Sequence, residues 1–322
     1  MNGTVLIKAA VIALAAQTLA AGQAAAQEKY PSRPIEFVVP WGPGGGADQL
    51  ARKMAALMEP ELKVSLPVVN VPGATGVTGL TKMLAAPNDG YSVSVFIADT
   101  FAQLATASPR WSEKDYAPLG IMIRQPSALF VKADSPFKTW ADVVKEAAAQ
   151  PGKMKVAILG FGSVDDMALR YMEGKGVRFT GVPFANPGER YSSILGGHAD
   201  LLYEQPGDVK SLLDSKQIRP ILIFNPERVK PEFADVMSSK EAGLEIYLPQ
   251  FRSVIVKAGT DPQRVKALAD AVEKLSKSAE FAGFLKDSLA LTDSFIPARE
   301  AQAFLDGELA AMKKFAAALP KQ

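Results

Sequence analysis

The chain contains no cysteine and one histidine, His198. Thiol nucleophiles, disulfides, cysteine-bound metals and multi-histidine metal sites are therefore excluded. Long apolar runs are also missing, since no stretch approaches the roughly 20 residues a membrane-spanning helix needs. Charge of one sign is scarce too. Lys and Arg total 36 against 34 Asp and Glu, leaving +2. That balance supplies no field for nucleic acid or an anionic membrane.

What remains is ordinary globular material, 48% apolar and 22% charged over 322 residues. That length exceeds what one small core needs, so two lobes are expected. The first residues read as a targeting segment. Lys8 is the only charge before Glu28, the apolar run Ala9–Ala16 follows it, and small residues accumulate to Ala24-Ala25-Ala26. This order predicts an exported protein with a signal peptide over 1–26, cleaved before Gln27.

The mature chain alternates strand-like and helix-like segments. Strands are expected at 35–39, 67–71 and 92–97, with helices at 48–58 and 76–86 between them. The order repeats with strands at 128–131, 155–159, 181–184, 199–203, 218–224 and 253–257. Helices are expected at 139–149, from Ser163 to Met172, and at 261–277, 279–287 and 299–319. An alternating order of this kind predicts an α/β fold with mainly parallel sheets. No flexible linker separates the two blocks, so strands should cross between them. Ligands of such folds bind outside the carboxyl ends of strands and between lobes.

Three strand-to-helix loops are rich in small residues: Val39-Pro-Trp-Gly-Pro-Gly-Gly-Gly-Ala-Asp48, Asn70-Val-Pro-Gly-Ala-Thr-Gly-Val-Thr-Gly79 and Gly160-Phe-Gly-Ser163. Glycine lets backbone approach a ligand, and the following helix offers unpaired amides and a positive dipole end. Asp48 is a candidate N-cap. The first loop lacks the Gly-Lys-Ser/Thr ending of a phosphate-gripping P-loop. Its Gly42-x-Gly44-x-x-Ala47 spacing matches a dinucleotide fingerprint, but the next strand ends in Asn70-Val71 without the acidic ribose partner. A tight turn without ligand stays open for this loop taken alone. Three such loops together favour a carboxylate held by neutral donors.

The quoted loops, with Tyr30-Pro-Ser-Arg-Pro-Ile35, Pro87-Asn-Asp-Gly-Tyr91, Val182-Pro-Phe184, Leu195-Gly-Gly-His-Ala-Asp200, Leu222–Phe224, Glu241-Ala-Gly243 and Ala258-Gly-Thr-Asp-Pro262, follow one another in a specific order. Over essentially the whole mature chain this order resembles the periplasmic solute-binding proteins of tripartite tricarboxylate transporters, the Bug or TctC-like family. The resemblance implies a type II periplasmic-binding-protein fold, whose two lobes close on a carboxylate. The first lobe would take 27–127 and 250–322, and the second 128–249. It places Trp41, Gly42, Gly45, Gly46 and Asp48 on one wall and Gly162 and Ser163 on the other, with Thr100 as a further candidate. Asp166 stands where many members carry His, and Trp41 where Phe or Tyr is common. The stretch Tyr203-Glu204-Gln-Pro-Gly-Asp208 replaces a segment where many have Asp. Asp166 and Glu204 are therefore added as ligand candidates.

Other tempting residues have plainer readings. His198 sits in a Gly-Gly-His-Ala turn with no catalytic partner. Ser163 lacks the Gly-x-Ser-x-Gly elbow of a hydrolase, and Asp165-Asp166 can cap the helix after it. Arg52, Arg190 and Arg252 could each meet a second ligand carboxylate, though each alone reads as a surface charge. The Leu305–Leu319 stripe reads as core packing. The expected protein is a monomeric periplasmic receptor for a di-, tri- or aromatic carboxylate, delivering it to a membrane transporter. It has no catalytic residues, metal, cofactor or nucleic-acid partner. A sensor subunit and an exported hydrolase using Ser163 are the alternatives.

Overall fold

A computed structural model describes residues 29–229 and 231–320, so the expected signal peptide lies outside the described residues. The first block runs β1 (Glu36–Val39), α1 (Gly46–Leu62), β2 (Val68–Asn70), α2 (Val77–Ala85) and β3 (Ser92–Ile97). All six residues of β3 are buried, as expected of a strand covered by helices on both faces. Two short helices, α3 (Ala98–Phe101) and α4 (Gln103–Thr106), precede the long strand β4 (Tyr116–Gln125).

The chain then crosses to a second sheet. Its elements are β5 (Ala128–Lys132), α5 (Trp140–Ala149), β6 (Lys155–Ile158), α6 (Val164–Gly174), β7 (Thr180–Pro183), α7 (Pro187–Leu195), β8 (Leu201–Glu204), α8 (Lys210–Asp214) and β9 (Ile218–Ile223). It returns through β10 (Gln250–Lys257), α9 (Pro262–Ser276), α10 (Ala279–Asp287), β11 (Ile296–Pro297) and α11 (Ala298–Ala317). The first sheet has the order β11-β4-β10-β3-β1-β2 and the second β7-β6-β8-β5-β9.

Parallel pairing holds for β2-β1-β3 and β7-β6-β8. The remaining pairs are antiparallel, so both sheets are mixed rather than mainly parallel. The crossings are the cause. Strands β4 and β10 carry the chain out of and back into the first sheet, and they lie side by side with Gln125 opposite Gln250. Strand β4 is missing from the sequence reading because Pro118 and Gly120 argue against a central strand. The sheet accommodates them beside a register shift between Val254 and Ile255 of β10.

The stripe on α11 is core: Leu305, Leu309, Met312 and Leu319 are all buried. This helix also reaches the second block, where Phe315 stacks on Tyr171 of α6 at 5.4 Å. At the middle of the first sheet, buried Phe251 of β10 stands edge-on to Phe101 of α3 and Phe304 of α11, at 5.5 and 5.4 Å. Phe251 thus joins the central strand to the C-terminal helix. Phe251→Ala should lower the unfolding free energy by about 3–5 kcal/mol, read as a lower urea midpoint with an unchanged slope.

Candidate functional site

Two loops, one after β1 and one after β6, enter their helices in the same way. Gly44 and Gly162 adopt left-handed backbone, φ 85° and 72°, which only glycine does without strain. The next residue, Gly45 or Ser163, is the extended N-cap. Three residues further, an aspartate reaches back to the glycine amide: Gly44 N donates to Asp48 Oδ2 at 2.9 Å, and Gly162 N to Asp166 Oδ2 at 3.0 Å. Asp48 is therefore the third helical residue and a clasp, not the N-cap the sequence suggests. Ser163 caps α6 by accepting from Asp166 N at 3.2 Å.

The clasps differ electrostatically. Burial is the largest single influence on Asp48 and pushes its carboxyl up. Hydrogen bonds from Arg52, Gly44 and Asn70 together outweigh it and hold Asp48 below the usual aspartate value. At Asp166 burial prevails over the Gly162 amide and Arg170, and the carboxyl is raised.

The loops meet across the junction of the two sheets. Gly42 N donates to Ala185 O at 3.4 Å. A Cβ on Gly42 or Gly45 would lie 2.6 Å from Asn186 Oδ1 or Pro187 Cγ, so these glycines make room for the opposite loop. Gly46 faces the buried ion pair of Arg252 with Asp208. On the other wall, Phe161 O accepts from Thr75 Oγ1 and Gln103 Nε2 at 3.2 and 3.1 Å. Gly162 O accepts from Thr106 Oγ1 at 2.8 Å. Ala74 and Thr75 hold positive φ, 46° and 53°, a strain of about 1–3 kcal/mol per residue of the kind that collects at ligand sites.

Among the buried polar atoms, Trp41 Nε1 and Thr100 Oγ1 make no hydrogen bond. They lie on either side of Gly76, where an added Cβ would strike Thr100 Oγ1 and come within 3.2 Å of Trp41 Nε1. Unpaired buried donors are costly, and these two are neighbours.

The other candidates are already engaged within the protein. Glu204 is buried and held by Arg190, by Tyr191 OH at 3.0 Å and by Gln205 N at 2.9 Å. Burial pushes its carboxyl up to about 7 against the pull of Arg190. Arg190 and Arg252 are buried ion-pair partners rather than surface charges, because α7 and β10 turn them into the junction. Arg52 is the exposed one, and it pairs with Asp48. His198 is exposed in its turn.

The sequence reading missed Asn186, Pro187, Gln103 and Thr106 as junction residues. Asn186-Pro187 carries a turn signal, but nothing local says that the turn faces Gly42. Asp48 yields a direct test of the clasp. A depressed carboxyl stabilises above the usual aspartate range and loses that effect as pH falls through the depressed value. Asp48→Ala should therefore cost about 2–3 kcal/mol at neutral pH, and the gap to wild type should narrow in urea titrations as pH is taken below the usual aspartate range.

Residues 50–314 match the family model described as the tripartite tricarboxylate transporter family receptor. A Cupriavidus necator protein encoded in the gbd 5′ region is 29% identical over 284 residues, covering 87% of this chain and 85% of its own. BugT of Bordetella pertussis is 26% identical over 276 residues, covering 83% of each. Among solved structures, MatC of Rhodopseudomonas palustris with bound malate superposes with a TM-score of 0.82 at 24% identity. That superposition spans 89% of this chain and all of MatC. The periplasmic binding protein BugD gives 0.81 at 22%, over 91% of this chain and all of its own. These structures share the two-lobed periplasmic-binding fold, and with the family match over most of its length the chain belongs to the tripartite tricarboxylate transporter receptor family.

Proposed function

We propose that this receptor is exported to the periplasm, captures a small carboxylate between its lobes and hands it to a tripartite tricarboxylate transporter. The lobes divide at the two crossings, 27–127 with 250–322 against 128–249. The unpartnered pair of Trp41 Nε1 and Thr100 Oγ1 carries the proposal. A carboxylate there would accept from both, beside the first turn of α1 and facing the first turn of α6, where helix amides and dipole favour an anion. MatC solved with malate and an R. palustris relative of the same fold solved with adipate are consistent with a ligand of this class. No helix among the described residues is long and apolar enough to cross a membrane.

Closure supplies the mechanism. Ligand contacts to both walls stabilise the form in which the Gly42–Gly46 loop meets Asn186 and Pro187. In the proposed site Trp41, Gly42, Gly45, Gly46 and Thr100 form the first wall and Gly162 and Ser163 the second. Asp48 and Asp166 hold the loops, and Glu204 holds Arg190. Ser163 supports binding rather than hydrolysis. Its hydroxyl is buried in the helix cap, and the only histidine lies in an exposed turn.

A thermal-shift screen over mono-, di-, tri- and aromatic carboxylates is the test, since a ligand that binds only the folded state raises Tm. At least one acid should do so, and a flat response across the panel would refute a carboxylate receptor. Trp41→Phe and Thr100→Val should each weaken that acid about tenfold by calorimetry, the worth of one hydrogen bond. Gly45→Val should abolish the shift through collision with Pro187 while leaving unfolding without ligand unchanged. Undiminished affinity in that variant would remove the loop contact from the mechanism.

A further inference from the structure

Beneath the loops, the junction of the lobes holds two carboxyl groups from opposite sides. Asp99 belongs to α3, packed on the first sheet, and Asp165 to the first turn of α6, beside the second. Both are fully buried. Asp99 Oδ1 accepts from Val164 N at 3.1 Å and from Gln250 Nε2 at 3.3 Å. Asp165 Oδ2 accepts from Leu159 N at 2.8 Å. One oxygen of each is left over, Asp99 Oδ2 and Asp165 Oδ1, and neither has a donor. The carboxyls are brought together by Val164, whose amide holds Asp99 and whose next residue is Asp165. Two ionised carboxylates carry no hydrogen, whereas a proton on one of them supplies a donor that both leftover oxygens lack.

We propose that Asp99 and Asp165 share one proton across the lobe junction, so that the protein takes up a proton when its lobes close and releases it when they part. This rests on the capture-by-closure mechanism but not on the identity of the ligand. The surroundings favour a single shared proton. Burial, and then the charge of Asp99, push Asp165 well above the usual aspartate value. Burial also raises Asp99, with Arg190 pulling it down. Arg190 of α7 is a cation facing the pair, and it is already bound to Glu204 of β8. Glu204 adds negative charge toward Asp165, Tyr203 of β8 lies beside both carboxyls, and β10 contributes the neutral Gln250. With Arg190 matched by Glu204, two ionised aspartates here would leave two negative charges in excess, without water to screen them.

The sign follows from linkage. In the open form both carboxyls meet water and ionise in the usual carboxylate range. In the closed form the pair keeps one proton to higher pH. Between those limits closure consumes one proton and weakens about tenfold per pH unit. Below the usual carboxylate range both forms are protonated, and the dependence vanishes. Asp99 also occupies an amide of the α6 first turn through Val164 N, so the proton governs a contact that spans the lobes.

Small-angle scattering of the ligand-free protein between pH 5 and pH 9 reads the lobe angle without any ligand. The wild-type radius of gyration should grow as pH rises. In Asp165→Asn the amide donates to Asp99 without a proton, and Asp99→Asn does the same in reverse. Each variant should remain compact throughout, and if one fails to fold the other reads the same proton. Glu204→Gln removes the negative charge beside Asp165 and frees Arg190 to face the pair, so it should move the pH response to lower pH without abolishing the proton. A wild-type radius independent of pH would overturn the proposal. So would a pH response that survives in the folded aspartate variants or moves to higher pH in Glu204→Gln. A failed carboxylate screen would refute the proposed ligand class and leave these profiles intact, so the two failures are distinguishable.

Discussion

A helix entered through a left-handed glycine leaves that glycine's amide without a partner in the helix, and an aspartate at the third helical position supplies one. This single hydrogen bond, made once by Asp48 to Gly44 and once by Asp166 to Gly162, shapes both walls of the cleft. It fixes the turn that brings Gly42 and Gly45 against Asn186 and Pro187. It also sets the start of α6, whose first amide meets Asp99. Where burial dominates, as at Asp166, the carboxyl is raised. Where Arg52 and Asn70 add donors, as at Asp48, it is lowered. One backbone device thus serves two electrostatic settings.

The cleft places its groups at two levels. Near the loops the free atoms are neutral donors, Trp41 Nε1 and Thr100 Oγ1. Deeper, charges are paired and dry: Arg252 with Asp208, Arg190 with Glu204, and Asp99 beside Asp165. Buried ion pairs of this kind add little net stability, since desolvation offsets attraction. Removing one partner, however, leaves an unpaired buried charge. Such pairs are suited to fixing how the two lobes meet. The Arg252–Asp208 and Asp99–Val164 contacts both cross that junction.

Much of the fold was legible along the chain. Apolar runs and period-3.6 patterns located most strands of both sheets and the long helices, though not β4 or β11. The Leu305–Leu319 stripe is core as read, and His198 lies in an exposed turn. The failures have identifiable causes. Pro118 and Gly120 hid β4, a central strand tolerated through a register shift in its partner. The alternating element order suggested parallel sheets. It carries no information on the direction of crossing strands, which turned out antiparallel to their neighbours.

The sequence by itself determined the class of chemistry. Lacking cysteine and carrying one histidine, the chain has no thiol or multi-histidine chemistry, and its glycine-rich loops present backbone amides and hydroxyls. Those loops, Pro40–Asp48 and Gly160–Ser163, are where the lobes meet. Only the tertiary structure decided which side chains are free. Asp48, Ser163, Asp166 and Glu204 are chemically suited to a ligand, yet each is engaged by a partner within the protein. Trp41 and Thr100 are not. Asp99 and Asp165, which no motif marks, face each other from different lobes. A sequence shows what a side chain can bond to, but burial and neighbours decide whether that capacity is already used, and both arise from contacts between residues far apart in the chain.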